Sequence, residues 1–258
     1  MISLVIYTFI CYLLSLIFIL SPNDLLNAFA QATPLIAVIL LIVFGSNRFN
    51  TLKTLGLFSV GKIRYYLIAI LLPLLSIVIG FSVSALLGFT NFHPLLGLNT
   101  FLQHYLLLIF MWPLLWAFTE EIGWRGFLQP KLIGMYGVEK GIFYTGLIWA
   151  FWHYIFIFAG GYYEIGNVFL NACLFTITVV LMSFTLGWIR LASKSIWPCV
   201  VFHAASNAAL QMCSPQWKII NSHYIYVAGE AGIANMLFWA IVFVLIRNRL
   251  LKSSVIKS

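Results

Sequence analysis

The sequence predicts an all-α protein, a polytopic transmembrane helical bundle. Three observations carry that expectation: an apolar composition, a series of apolar runs of membrane-crossing length, and an alternation of basic charge between the connections. Of the 258 residues, 63% are hydrophobic and 8% are charged, against roughly 25% charged in a soluble domain. A soluble fold of this length could not cover so much apolar surface, so soluble classes are excluded. A net charge of +8 would point to nucleic acid in a soluble protein. In a membrane chain it reads as topology, because Lys and Arg collect in cytoplasmic connections, and no nucleic-acid partner is expected.

A helix needs roughly 17–25 apolar residues to cross a bilayer. About eight runs answer to that: residues 4–20, 26–44, 66–87, 101–118, 141–159, 168–189, 196–212 and 225–246. The seventh is short and interrupted. After the second run come Arg48, Lys53, Lys62 and Arg64; after the fourth, Arg125, Lys131 and Lys140; after the sixth, Arg190 and Lys194; after the eighth, Arg247, Arg249, Lys252 and Lys257. The other connections are poor in basic residues, with Asp24 in the first, Glu164 in the fifth and Lys218 in the seventh. This alternation predicts an even number of spans with both termini cytoplasmic. It also sets Glu120 and Glu121 at the cytoplasmic end of the fourth helix.

Residues 52–66 read either as an amphipathic segment lying in the interface or as a plain cytoplasmic loop. Tyr65, Tyr66, Trp188 and Trp197 stand at run ends, as in an aromatic belt. The N-terminal run has no basic leader and no small-residue cleavage site, so a retained helix is expected rather than a signal peptide. Cys11, Cys173, Cys199 and Cys213 are widely spaced, without a CxxC or a Cys/His cluster. They read as buried free thiols rather than as a disulfide framework or a structural zinc site. No repeat, low-complexity segment or linker divides the chain, and one integral membrane domain over residues 1–258 is expected.

The chemistry concentrates in a few positions. Glu120, Glu121 and Arg125 follow a stretch, residues 101–118, that has no Asp, Glu, Lys or Arg. Ionisable groups at membrane depth are functional-site hypotheses by default. Glu121 and Arg125 are four apart and share a helix face, which predicts an ion pair. Glu120 is rotated by about 100° from Glu121 and is left for chemistry. Gly123 and Gly126 would let another helix approach closely. The bland alternative is a charged helix end facing water. His153 sits inside the fifth run among aromatics, where a buried, hydrogen-bonded structural role is the commoner one. His203 and Asn207, again four apart, share one face of the seventh helix and could simply bridge two helices. Taken together, a carboxylate, two imidazoles and a carboxamide are the groups of a water-activating hydrolase. The carboxylate takes a proton from water, a histidine orients the water or returns the proton, and an amide or protonated imidazole donates to the oxyanion. No serine elbow, paired-Asp dyad or HExxH motif is present.

The ordered set EExxxR (Glu120, Glu121, Arg125), a histidine in an aromatic-rich helix (His153) and HxxxN (His203, Asn207) resembles the CPBP, or Abi, family. That family comprises the type II CAAX prenyl proteases and bacteriocin-processing or immunity proteins. The resemblance covers roughly residues 101–212. It implies an all-helical fold with the site in a cavity open to cytosol and membrane. It further implies an intramembrane endopeptidase of the glutamate type, with Glu120 as general base and His153 positioning the water. His203 and Asn207 would then stabilise the oxyanion, with Glu121 and Arg125 in support. The family pattern FxxxH is changed here, because Trp149 stands four residues before His153. The change keeps an aromatic, and its expected effect is on cavity shape rather than on chemistry.

Two other readings stand beside this one. Glu120, His153 and His203 are a possible Zn²⁺ ligand set, although the resemblance favours a metal-free site without a cofactor. A non-catalytic membrane scaffold or immunity protein is the other. A transporter would show internal symmetry, which is not detected. The expected partners are a peptide or protein substrate at the membrane and the bilayer itself, and the expected location is the plasma membrane with the site near the cytoplasmic side. Substrate identity and oligomeric state are not legible.

Overall fold

The computed structural model describes residues 1–45, 52–163 and 165–255, with side chains to residue 250. Arg48, Glu164 and Lys257 of the charge pattern lie outside these residues, as does the side chain of Lys252. The described chain is an all-helical bundle with one small ribbon. Its helices are α1 (Ile2–Ile19), α2 (Asp24–Phe29), α3 (Thr33–Phe44), α4 (Ile63–Leu86), α5 (Leu98–Ile109), α6 (Trp112–Glu121), α7 (Gln129–Tyr136), α8 (Val138–Ala159), α9 (Val168–Ser193), α10 (Trp197–Cys213) and α11 (Ile233–Val255). Strands β1 (Thr90–Phe92) and β2 (Trp217–Ile219) pair antiparallel.

Helix α1 shows why this packing belongs in lipid. It buries only Leu4, Tyr7, Cys11 and Ser15, a stripe at helical spacing. Ile2, Val5, Phe9 and Ile17 are left more than half exposed. In water such a surface would cost about 25 cal/mol per Å²; against acyl chains it costs nothing comparable. Six helices are long and apolar enough to cross a membrane, or seven if a bent pair counts as one span. The expected seventh run, residues 196–212, forms α10, a helix of 17 residues that is buried along most of its length.

The structure differs from the sequence reading in further places. The expected fourth span is not one straight helix. It breaks at Phe110 and Met111, and the two parts are bent by 44°. Pro113, at the start of α6, lacks an N–H and suits a helix's first turn rather than its interior. Nor does residue 121 end a helix: the chain continues helically from Trp112 to Tyr136. Of residues 52–66, open in sequence to an interfacial segment or a plain loop, residues 52–54 are helical, 55–62 run as turns and irregular backbone, and 63–66 begin α4. Gly56 and Leu57 rest on the turn between α9 and α10, where the Trp197 indole donates to the Leu57 carbonyl at 2.9 Å and Ile196 N–H to the Gly56 carbonyl at 3.1 Å. Finally, Tyr65 and Trp188 are buried against each other edge to face rather than belted outside, and Cys173 is exposed while the other three thiols are buried.

The connections segregate to two ends. At one end, Arg190 donates to the carbonyls of Arg125 and Thr54, and Arg247 pairs with Glu139 at 3.0 Å. The connections after the second, fourth, sixth and eighth runs therefore lie together. At the other end, β1 pairs with β2 and Asn167 N–H donates to the Tyr226 hydroxyl at 2.6 Å, which gathers the connections after the third, fifth and seventh runs. The positive-inside rule expects the basic end to be cytoplasmic; on that expectation Leu95→Cys in a chain stripped of native cysteines should react with a membrane-impermeant thiol reagent from outside only. Labelling from the cytoplasmic side alone would reverse this orientation.

Candidate active site

Between α6 and α7 the backbone takes a π-helical turn, Ile122–Leu128. Such turns are rare and concentrate at functional sites. Every residue of the turn is buried, so the charge cluster does not face water. Gly123 is where α1 and α3 close in: a Cβ there would collide with the Tyr7 hydroxyl and Pro34.

Glu121 and Arg125 are fully buried and paired, Arg125 Nη1 to Glu121 Oε1 at 2.8 Å. The same oxygen contacts His203 Nδ1 at 3.0 Å, a partner the sequence did not indicate. Arg125 Nη2 also donates to the Ser183 hydroxyl at 3.1 Å. The guanidinium carbon lies 4.2 Å from the centre of the Trp149 ring, a cation–π arrangement. The positive charge is thus held on three sides.

Glu120 is 5% exposed. Its Oε2 accepts the Trp149 indole N–H at 2.9 Å and the Trp124 indole N–H at 3.3 Å. His153 Nδ1 lies 3.0 Å from the Trp149 carbonyl. A carbonyl only accepts, so Nδ1 carries the proton and neutral His153 keeps a lone pair at Nε2. The Asn207 side chain makes no hydrogen bond among the described residues.

Glu120, His153, His203 and Asn207, which come from α6, α8 and α10, line one cavity together with Gln31 and Tyr162. It offers about 60 Å³ to water-sized molecules, and one water needs roughly 10–15 Å³ by that measure. Glu121 and Arg125 stand behind it. Glu120, His153 and His203 share the space but do not form a metal-holding cluster, and no three His, Cys, Asp or Glu side chains do so among the described residues. The zinc reading therefore does not fit the donors as they stand, and no step is routed through a metal.

A neighbouring cavity, which also touches His153, His203 and Asn207, brings in Glu230. Burial raises the Glu230 carboxyl above its ordinary value, while hydrogen bonds from Tyr162 and Tyr163 oppose that rise. Sequence reasoning missed Glu230, because nothing local ties the approach to α11 to the other polar positions. It also missed the donors on Glu120, although an indole N–H is visible in the letter W.

Fold and site together define an integral multi-pass membrane protein with a buried, water-sized polar chamber. Residues 101–209 match the family model for type II CAAX prenyl endopeptidase Rce1-like proteins. A CAAX prenyl protease 2 from Methanococcus maripaludis is 29% identical over 201 residues, covering 72% of this chain and 69% of that protein. Residues 101–209 are thus similar to an Rce1-like domain, and the chain over most of its length is similar to a CAAX prenyl protease.

Proposed function

We propose that the protein cleaves a peptide bond of a membrane-associated substrate by glutamate-activated water, without a metal or other cofactor. The observation that carries this reading is the shared cavity of Glu120, His153, His203 and Asn207. Water in that cavity loses a proton to Glu120 as its oxygen attacks the scissile carbonyl carbon. His153 Nε2, an acceptor, orients the water. The carbonyl oxygen becomes an oxyanion and takes hydrogen bonds from the Asn207 amide and from Nε2–H of a protonated His203. The Glu121 carboxylate, 3.0 Å from His203 Nδ1, favours that protonated form. Glu120 then returns its proton to the leaving amine, and the C–N bond breaks. Donors aimed at the developing oxyanion in a low-dielectric site act more strongly than they would in solution.

The named relative is a CAAX prenyl protease, and the substrate class proposed here follows that name: a prenylated protein or peptide carrying a C-terminal CAAX sequence. The proposed setting is the plasma membrane, with the chamber reached from the cytoplasmic side. The test is cleavage of a farnesylated, internally quenched CAAX peptide by purified protein, with and without a strong chelator. Chelator-resistant cleavage is expected. Activity lost to chelator and restored by Zn²⁺ would overturn the metal-free reading, and binding without cleavage would favour a scaffold. Asn207→Ala is expected to lower kcat about 10²–10³-fold, the usual cost of one oxyanion donor. Full activity in that variant would remove Asn207 from the mechanism.

A further inference from the structure

We propose that Trp149 is a positioning residue of this site: its indole N–H fixes the Glu120 carboxylate so that Oε1 is the oxygen offered to water. The proposal rests on the reading of Glu120 as the base.

Three observations converge on it. The first is an asymmetry at the carboxylate. Both indole donors fall on Oε2, at 2.9 and 3.3 Å, and among the described residues Oε1 receives no hydrogen bond. The last torsion of a glutamate is soft, with a broad two-fold profile. A carboxylate without a directional partner would sample both orientations; one tied at Oε2 presents Oε1. The 2.9 Å bond from Trp149 is the shorter and so the dominant tether. It is also charge-assisted, a class stronger than neutral pairs.

The second observation is reach. Trp149 is 2% exposed, and its ring meets His153 at 5.7 Å and His203 at 5.4 Å between centres, both edge to face. The same ring lies under the Arg125 guanidinium, and its backbone carbonyl holds His153 Nδ1. One residue thus touches Glu120, Arg125, His153 and His203.

The third is chemistry. A phenyl ring at this position could supply the stacking and the cation–π contact but has no N–H. On this proposal the Trp in place of the usual aromatic acts on the chemistry as well as on cavity shape, against the expectation drawn from the sequence.

The experiment separates the N–H from the ring. Trp149→Phe keeps an aromatic face but leaves space. The isostere 3-benzothienylalanine, introduced at position 149 by nonsense suppression, keeps the bicyclic shape and replaces the N–H with sulfur. Both are assayed on the farnesylated quenched CAAX peptide beside wild type and Glu120→Gln. The isostere is expected to show kcat reduced about 10- to 100-fold, the scale of a misplaced catalytic group. Its KM should stay at the wild-type value, because substrate contacts are retained, and its melting midpoint should fall less than that of Trp149→Phe, because the packing is kept and one hydrogen bond is lost. Trp149→Phe should show the same loss of kcat, with a lower melting midpoint. Trp124→Phe, which removes the longer bond, should lose less kcat than Trp149→Phe. Wild-type kcat in the isostere, with Glu120→Gln inactive, would overturn the role of the N–H and leave the base standing. An isostere whose melting midpoint and KM both worsen in step with kcat would make the bond merely structural. An active Glu120→Gln would overturn the base, and this proposal with it.

Discussion

Glu120→Gln is expected to give a well-folded protein whose peptide cleavage falls by about 10²–10⁴-fold, the contribution of a positioned general base. The substitution is nearly isosteric. A carboxamide oxygen still accepts the Trp149 N–H that Glu120 Oε2 now takes at 2.9 Å, so the local packing survives. What disappears is the ability to accept a proton from water and hand it to the leaving amine. The measurement pairs a thermal melt in detergent with the quenched-peptide assay. A melt close to wild type with cleavage near zero is the expected pair of results, and cleavage at the wild-type rate would remove Glu120 from the chemistry.

Arg125→Met should do the opposite, striking the fold first. Both members of the Arg125–Glu121 pair are fully buried. Removing the guanidinium strands the Glu121 carboxylate with His203 as its remaining partner and empties the space above Trp149 and beside Ser183. Breaking a buried pair in this way typically costs about 3–5 kcal/mol, because one charge is left uncompensated. Yield and melting midpoint should drop well below those of Glu120→Gln. The double variant Arg125→Met with Glu121→Gln should recover part of the loss, since no net charge is then stranded. Equal melts for Arg125→Met and Glu120→Gln would argue against dividing the two carboxylates into a structural one and a chemical one.

The helical class was legible from composition, since apolar runs with almost no charge admit few alternatives. The polar positions that share the cavity were legible for a related reason: in so apolar a chain, each polar side chain far from a run's end stands out. Other features were invisible for identifiable causes. The break at Phe110 and Met111 falls among uniformly apolar residues, and Pro113 was its one cue. The π-helical turn shifts the phase over too few residues for a hydrophobic period to register. His203 meeting Glu121 joins positions 82 apart in sequence, and no local pattern encodes that. Trp149 was visible but was weighed as a shape and not as a donor.

The π-helical turn Ile122–Leu128 has a consequence for how this chain tolerates changes in its length. Each residue of an α-helix advances by about 100°, and a π turn takes up a residue that a plain α-helix would have no place for. Loss of one residue from the turn would let it relax to α geometry with almost no change in composition. The segments before and after it would then keep nearly the same facing, because the turn absorbs the extra residue instead of passing its rotation on. What would be lost is the widened path itself, along which Gly123 lies against Tyr7 and Pro34 and Arg125 reaches Glu121. The turn is a local bulge in one helical rod, and its effect stays local.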